Sequence, residues 1–153
     1  MITFEDLLAR DGKLVYKTKG TSMRPMLRQN RDLVIIETPS HRLRSLDVAL
    51  YRRGDRYVLH RVIRVRDGYY LIRGDNTFVL ETVPDETVIG VLSGFQRNGK
   101  QYSVNDLSYR LYARSWNALY PLRRFYARLR PHAVNAARKL GVLPILKKLL
   151  RRE

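Results

Sequence analysis

The sequence predicts a mainly β protein with a short N-terminal helix and a basic, helical C-terminal extension. Over residues 13–95, segments rich in β-branched and aromatic residues alternate with turn signals, which is typical of an antiparallel sheet. From Val104 onward, apolar residues instead recur at helical spacing among Arg and Tyr. A chain of 153 residues with 44% hydrophobic content can build one domain with a core. We therefore expect a β core over residues 1–103 and a helical extension over residues 104–153.

The N-terminal helix is expected over residues 3–10, because Thr3 and Asp6 have capping-box spacing and Asp11-Gly12 ends the apolar pattern. The predicted strands are residues 13–17, 33–37, 47–52, 57–65, 69–73 and 87–95. The dipeptides that predict hairpin turns are Gly54-Asp55, Asp67-Gly68 and, most strongly, Asn98-Gly99. The residues expected to divide the extension into short helices are Pro121, Pro131, Gly141 and Pro144.

The positive charge is concentrated in the C-terminal extension. Of the formal net charge of +16, residues 107–153 contribute twelve basic side chains and one acidic one. Such a charge favours a polyanionic partner, either anionic lipid or nucleic acid, of which nucleic acid is the less favoured. Short basic helices carrying Trp116, Tyr and Leu fit an anionic membrane surface. The same helices are equally consistent with an arrangement in which their apolar face packs on the β core and their charges are solvated.

Composition excludes several classes of site and of location. The chain contains no Cys, so it has no disulfide, zinc-thiolate site or thiol nucleophile. The first ten residues contain Glu5 and Asp6 and lack the basic and apolar regions of a secretory signal. No stretch approaches the ~18 consecutive apolar residues of a membrane-spanning helix. We expect a cytoplasmic protein, which the basic extension would attach to the inner membrane face if it binds lipid rather than the β core.

Ser22 lies in a segment, Gly-Thr-Ser-Met-Arg-Pro-Met from Gly20 to Met26, between two predicted strands. Glycine and proline permit a tight, exposed turn there, and such a turn would present the Ser22 hydroxyl to a cleft. By itself this pattern indicates little, because most Ser residues in loops form turns or cap helices.

His60 lies in a predicted strand and shares one side of it with Val58 and Val62. A single histidine on an apolar face is more often a satisfied core residue than a catalytic one. A neutral imidazole is nevertheless the base that a Ser hydroxyl needs, because it takes a proton at neutral pH and returns it to the leaving amine. Asp75 lies in the turn Arg-Gly-Asp-Asn-Thr of residues 73–77 and adds a carboxylate to these candidates. Turns also favour Asp for conformational reasons alone.

Four motifs follow one another along the chain. They are Gly-x-Ser-Met-x-Pro-Met from Gly20, Asp-Val-Ala-Leu-Tyr from Asp47, Leu-His-Arg-Val-Ile from Leu59, and Arg-Gly-Asp-Asn from Arg73. In this order they resemble the signal peptidase I family, and most of all its archaeal and endoplasmic-reticulum branch, which uses a Ser–His pair instead of Ser–Lys. The resemblance covers about residues 17–94. It implies a LexA/signal-peptidase-like β core, peptide hydrolysis, and no metal or cofactor.

The resemblance also implies roles for individual residues. Ser22 is the nucleophile, His60 is the general base, and Asp75 is the acid that orients or supports the imidazole. A second acid is expected a few residues further on, where Glu81 is the best-placed candidate and Asp85 the next. The motif residues expected to flank the substrate cleft are Met23, Pro25, Arg61 and Asn76. The substrate would be a precursor or leader peptide, bound as an extended strand and cut after a small residue.

Two features depart from the family. Its strand after the nucleophile usually begins Gly-Asp-Val, whereas this chain has Leu46-Asp47-Val48, so the backbone geometry there is expected to differ. Its members usually carry a transmembrane helix just before the Ser-Met motif, whereas the only helix expected there in this chain is the short one over residues 3–10. The alternative function is a non-catalytic module of the same fold that holds membrane or nucleic acid through the basic extension. Retention of Ser22, His60 and Asp75 together argues against that alternative.

Overall fold

The computed structural model describes residues 2–139, with side chains for all of these except 132–134 and 136–139. The chain divides into two compact units, Met1–Trp116 and Asn117–Glu153.

The described residues form a mainly β structure with one antiparallel sheet of eight strands. The strands are β1 (Lys13–Lys17), β2 (Leu33–Glu37), β3 (Val48–Arg53), β4 (Arg56–Arg66), β5 (Tyr69–Arg73), β6 (Glu81–Pro84), β7 (Val88–Arg97) and β8 (Lys100–Ser103). The helices are α1 (Phe4–Asp11), α2 (Leu107–Ala118) and α3 (Tyr120–Lys139), and a 3-10 turn covers Asp85–Thr87. The sheet order is β1-β2-β7-β3-β4-β5-β6, and β8 also pairs with β7.

The predicted helix start and hairpin turns are confirmed. Thr3 Oγ1 accepts the backbone N–H of Asp6 at 3.1 Å, and the Asp6 carboxylate accepts the backbone N–H of Thr3 at 2.8 Å. Gly12 ends α1 with a left-handed φ of +65°. Asn98 and Gly99 both have positive φ, of +50° and +79°, as the turn between β7 and β8 requires.

The structure also corrects the sequence prediction in three places. β6 and β8 are not predicted, because each has only four residues and depends on pairing with a longer strand for its conformation. Pro131 lies inside α3 rather than ending a helix, since a proline removes only one of the helix's N–H donors. The predicted break at Pro121 is confirmed, because α2 ends at Ala118 and Pro121 is the second residue of α3, where a missing N–H is tolerated. The predicted breaks at Gly141 and Pro144 lie outside the described residues.

The two faces of the sheet bury different apolar clusters. One contains Leu50 and Leu59 together with α1 and the segment after β1, and the other contains Tyr51 and Val62. Alternation along β4 therefore places neighbouring residues on opposite faces, as predicted. No helix among residues 2–139 is long and apolar enough to cross a bilayer.

Candidate active site

A cleft of about 940 Å³ contains three of the residues predicted to be catalytic. Ser22, His60 and Glu81 all line it, together with apolar side chains that include the predicted flanking residue Met23. Asp75 is buried and bonded elsewhere, as described below. The structure thus brings residues from three separate segments to one surface.

The turn that carries Ser22 is held in place by the residues on either side of it. Met23 and Met26 are both buried in the core, so the turn is anchored at two points while Ser22 itself is only partly buried. The backbone N–H of Leu27 donates to the carbonyl of Met23 at 2.9 Å. Pro25, which follows a cis peptide bond, is exposed.

Asn76 ties the Ser22 turn to the turn that follows β5. Its backbone N–H donates to the carbonyl of Ser22 at 2.7 Å, and its side-chain amide donates to the carbonyl of Thr21 at 3.3 Å. The family resemblance predicts Asn76 beside the cleft. Its contacts give Asn76 a more specific role, because they hold the backbone of the turn that carries Ser22.

Gly74 marks the point where Ser22 and His60 meet. Arg61 of β4 pairs with Arg73 of β5, so the next residue, Gly74, lies beside His60. A Cβ at this position would lie 3.1 Å from His60 Nε2, 3.1 Å from Ser22 Cβ and 2.8 Å from the Ser22 carbonyl oxygen. The serine side chain and the imidazole Nε2 therefore border the same small space, which only glycine leaves open.

The opposite nitrogen of His60 faces Tyr51 and Glu81. Nδ1 lies 3.2 Å from the Tyr51 hydroxyl and 3.4 Å from Glu81 Oε1, and the Tyr51 hydroxyl donates to Glu81 Oε2 at 2.8 Å. A hydroxyl has one proton, and Tyr51 uses it on the carboxylate, so its oxygen can only accept from the imidazole. Nδ1 therefore carries the hydrogen, and the lone pair of Nε2 points to the space beside Ser22.

Burial lowers the pKa of the His60 imidazole below its ordinary value of about 6.5. The charge of Glu81 opposes this by raising the pKa, while Arg53 lowers it and Asp75 raises it. Arg53 also donates to Glu81 Oε2 at 2.9 Å, which holds the carboxylate in position. The imidazole is consequently neutral at pH 7, the state in which Nε2 can accept a proton.

Asp75 is bonded to Arg61 in a buried ion pair. Arg61 donates from Nε and Nη2 to the two carboxylate oxygens, each at 2.8 Å, and the side chains are 1% and 3% exposed. The family resemblance predicts Asp75 at the imidazole and Arg61 at the edge of the cleft. In the structure, Glu81 is the acid at Nδ1, and Asp75 acts on His60 through its charge.

Helix α2 packs on this ion pair with three aromatic residues that sequence analysis does not assign to the site. Tyr112 donates to Asp75 Oδ2 at 3.0 Å, and Trp116 Nε1 donates to the Asp75 carbonyl at 2.9 Å. Tyr109 accepts from Arg61 Nη1 at 3.2 Å. The spacing of these residues places them on one face of a helix, but nothing local in the sequence indicates what that face covers.

Tyr51, by contrast, could have been found from the sequence. The two-residue turn Gly54-Asp55 sets the register of β3 and β4, so that Tyr51 pairs with Val58 and Ala49 with His60. Tyr51 is then the diagonal neighbour of His60 on the same face, a position from which a long side chain reaches across.

The backbone at Leu46 adopts a conformation that favours glycine. Its φ is +78°, and its N–H donates to the carbonyl of Val62 at 2.8 Å. A leucine in this region costs about 1–2 kcal/mol relative to an ordinary backbone conformation. Leu46 thus has a backbone conformation of the glycine type although it is not a glycine.

Among the side chains that the structure describes, no three of His, Asp or Glu are grouped so that they could hold a metal ion. No protein-family model matches the chain. No curated protein matches it in sequence.

Replacing Asp75 with Asn should leave the Arg61 guanidinium buried without a counter-charge. We expect the free energy of unfolding to fall by about 3–5 kcal/mol, measured by urea denaturation. Asp11→Asn is the matched control, because its ion pair with Arg10 is exposed and water replaces it. Equal stability of the two variants would contradict a structural role for Asp75.

Glu81 and Arg53 should shift the His60 pKa in opposite directions. Glu81→Gln removes a charge that raises it and should lower the pKa further, whereas Arg53→Gln removes a charge that lowers it and should raise the pKa. The measurement is an NMR titration of the imidazole, assigned with His60→Gln. A His60 pKa that is the same in both variants would mean that Glu81 does not face the ring.

Proposed function

We propose that this chain is a serine endopeptidase of the signal-peptidase type, built on a LexA/signal-peptidase-like β core. Ser22 is the nucleophile and His60 the general base. The observation that carries the proposal is the space beside Gly74, which Ser22 Cβ and His60 Nε2 both border at 3.1 Å from one point. A neutral imidazole with its lone pair on that side is the arrangement that nucleophilic catalysis by serine needs.

The reaction proceeds through an acyl-enzyme. Ser22 Oγ attacks the carbonyl carbon of the scissile peptide bond while its proton passes to His60 Nε2. The imidazolium then gives that proton to the departing amine as the C–N bond breaks. Water next attacks the ester, with Nε2 accepting its proton, and Ser22 recovers a proton as the acid product leaves. Each transfer uses the same nitrogen.

Glu81 and Tyr51 stabilise the imidazolium form of His60. When Nε2 takes a proton, the imidazolium keeps its Nδ1–H directed at Tyr51, and Glu81 Oε1 is 3.4 Å away. This contact fixes the tautomer and compensates the positive charge inside the cleft. Glu81 therefore takes the orienting role, and Asp75 supports the imidazole electrostatically from its bond to Arg61.

Backbone amides beside Ser22 are suited to stabilise the oxyanion. Among the described residues, neither the N–H of Ser22 nor that of Met23 donates to another protein group. Both belong to the turn that Asn76 and the buried methionines hold. Donors fixed before the reaction stabilise the tetrahedral intermediate without reorganising.

The cleft suits a peptide in extended form. β1 is an edge strand, and its final residues Tyr16 and Lys17 line the cleft, so a substrate strand could align beside them. The family resemblance adds the expectation of a precursor or leader peptide cut after a small residue. The reaction proposed for the chain uses no metal or cofactor.

A fluorophosphonate probe should label Ser22 and no other serine, as read by intact mass and peptide mapping. Because a protonated imidazole cannot accept a proton, we expect labelling to rise with pH through a midpoint below about 6.5 and then level off. His60→Gln should slow labelling by about a hundredfold or more. Ser22→Ala should abolish it.

Ser40 provides the matched control for this experiment. Its hydroxyl lies 3.0 Å from His41 Nδ1, so it also has a histidine partner, but this pair is exposed. Ser40→Ala should label like the native protein. Absence of labelling at every pH, together with intact folding, would favour the non-catalytic binding module instead.

Tyr51→Phe should slow labelling of Ser22 by about tenfold, because it removes the hydroxyl that links Nδ1 to Glu81. Tyr57→Phe is the control, since Tyr57 also lines the cleft but donates its hydroxyl to Glu5. The labelling rate and the melting temperature of both variants are compared. Similar labelling rates in the two would remove Tyr51 from the mechanism.

A further inference from the structure

The described part of α3 carries an exposed apolar stripe. Leu122, Phe125, Tyr126 and Leu129 recur at helical spacing and so lie on one side of the helix. Their exposed fractions are 64%, 60%, 66% and 48%. Large apolar side chains that are exposed together in this way mark a surface suited to a partner.

Arginines accompany this stripe. At about 100° per residue, Arg128 and Arg130 lie on opposite flanks of the stripe, and Arg124 lies on the far side of the helix. All three are exposed, and none forms an ion pair with another described residue. The sequence holds no Asp or Glu between Asp106 and Glu153, so no acid of α3 itself offsets their charge.

We propose that α3 lies in the plane of an anionic lipid surface and attaches the protein to it. The apolar stripe would enter the boundary between headgroups and acyl chains, while Arg128 and Arg130 contact lipid phosphates on either side. Tyr126 suits this depth, because its ring is apolar and its hydroxyl polar. A nucleic acid would satisfy the arginines but leave Leu122 and Leu129 in water, so lipid is the better complement.

The test is co-sedimentation of the full chain with vesicles of phosphatidylcholine, alone or with about 30 mol % phosphatidylglycerol. We expect binding to the anionic vesicles, weakening as salt rises, and little binding to the neutral ones. Ser22→Ala should bind equally well, since attachment does not depend on the proposed peptidase chemistry.

Two double variants separate the apolar and the charged contributions. Phe125→Ser with Leu129→Ser should lower the partition coefficient on the order of a hundredfold, and Arg128→Gln with Arg130→Gln on the order of tenfold. Ile2→Ser with Val15→Ser is the control, because it removes two other apolar side chains that are 69% and 53% exposed. The melting temperature of each variant shows that folding is intact.

Three results would overturn the proposal. One is absence of binding to anionic vesicles at low salt. Another is undiminished binding by the Phe125/Leu129 variant, which would reduce the attachment to charge alone. The third is tight binding of a labelled RNA or DNA oligonucleotide without any binding to vesicles, which would make nucleic acid the partner of α3.

Discussion

The guanidinium of Arg61 joins four segments that are far apart in the sequence. It donates to both oxygens of Asp75, to the carbonyl of Leu46, to the Tyr109 hydroxyl and to the sulfur of Met26. A guanidinium has five N–H groups in one fixed plane, so each partner must approach from a set direction. A buried charge is tolerated only when it is paired and hydrogen-bonded, which makes the whole arrangement interdependent.

Because residues alternate along a strand, a single step along β4 separates this scaffold from the cleft. Arg61 holds Asp75, while the preceding His60 points into the cleft. The turn after β5 is divided in the same way. Gly74 borders Ser22 and His60, whereas the next residue, Asp75, is bonded to Arg61. Packing of α2 on Asp75 is therefore also packing behind the site.

The local electrostatics keep a base neutral inside a strongly basic protein. Burial disfavours the imidazolium, and the one carboxylate at Nδ1 is shared with Arg53 and Tyr51. A charged imidazole would leave Nε2 without a lone pair at neutral pH. The positive charge of α3 has a different consequence. Its exposed arginines lie beside an apolar stripe and so favour contact with an anionic surface.

The sequence by itself determined the mainly β fold, the capped first helix, the hairpin turns and the bounds of β1, β2 and β5, because these depend on local alternation and turn chemistry. It also singled out Ser22 and His60 as a candidate pair. Only the tertiary structure decided that Glu81 faces Nδ1, that Asp75 belongs to Arg61, and that α2 packs on this pair. These contacts join residues that are distant along the chain, so they follow from strand register and helix packing, which no local pattern encodes.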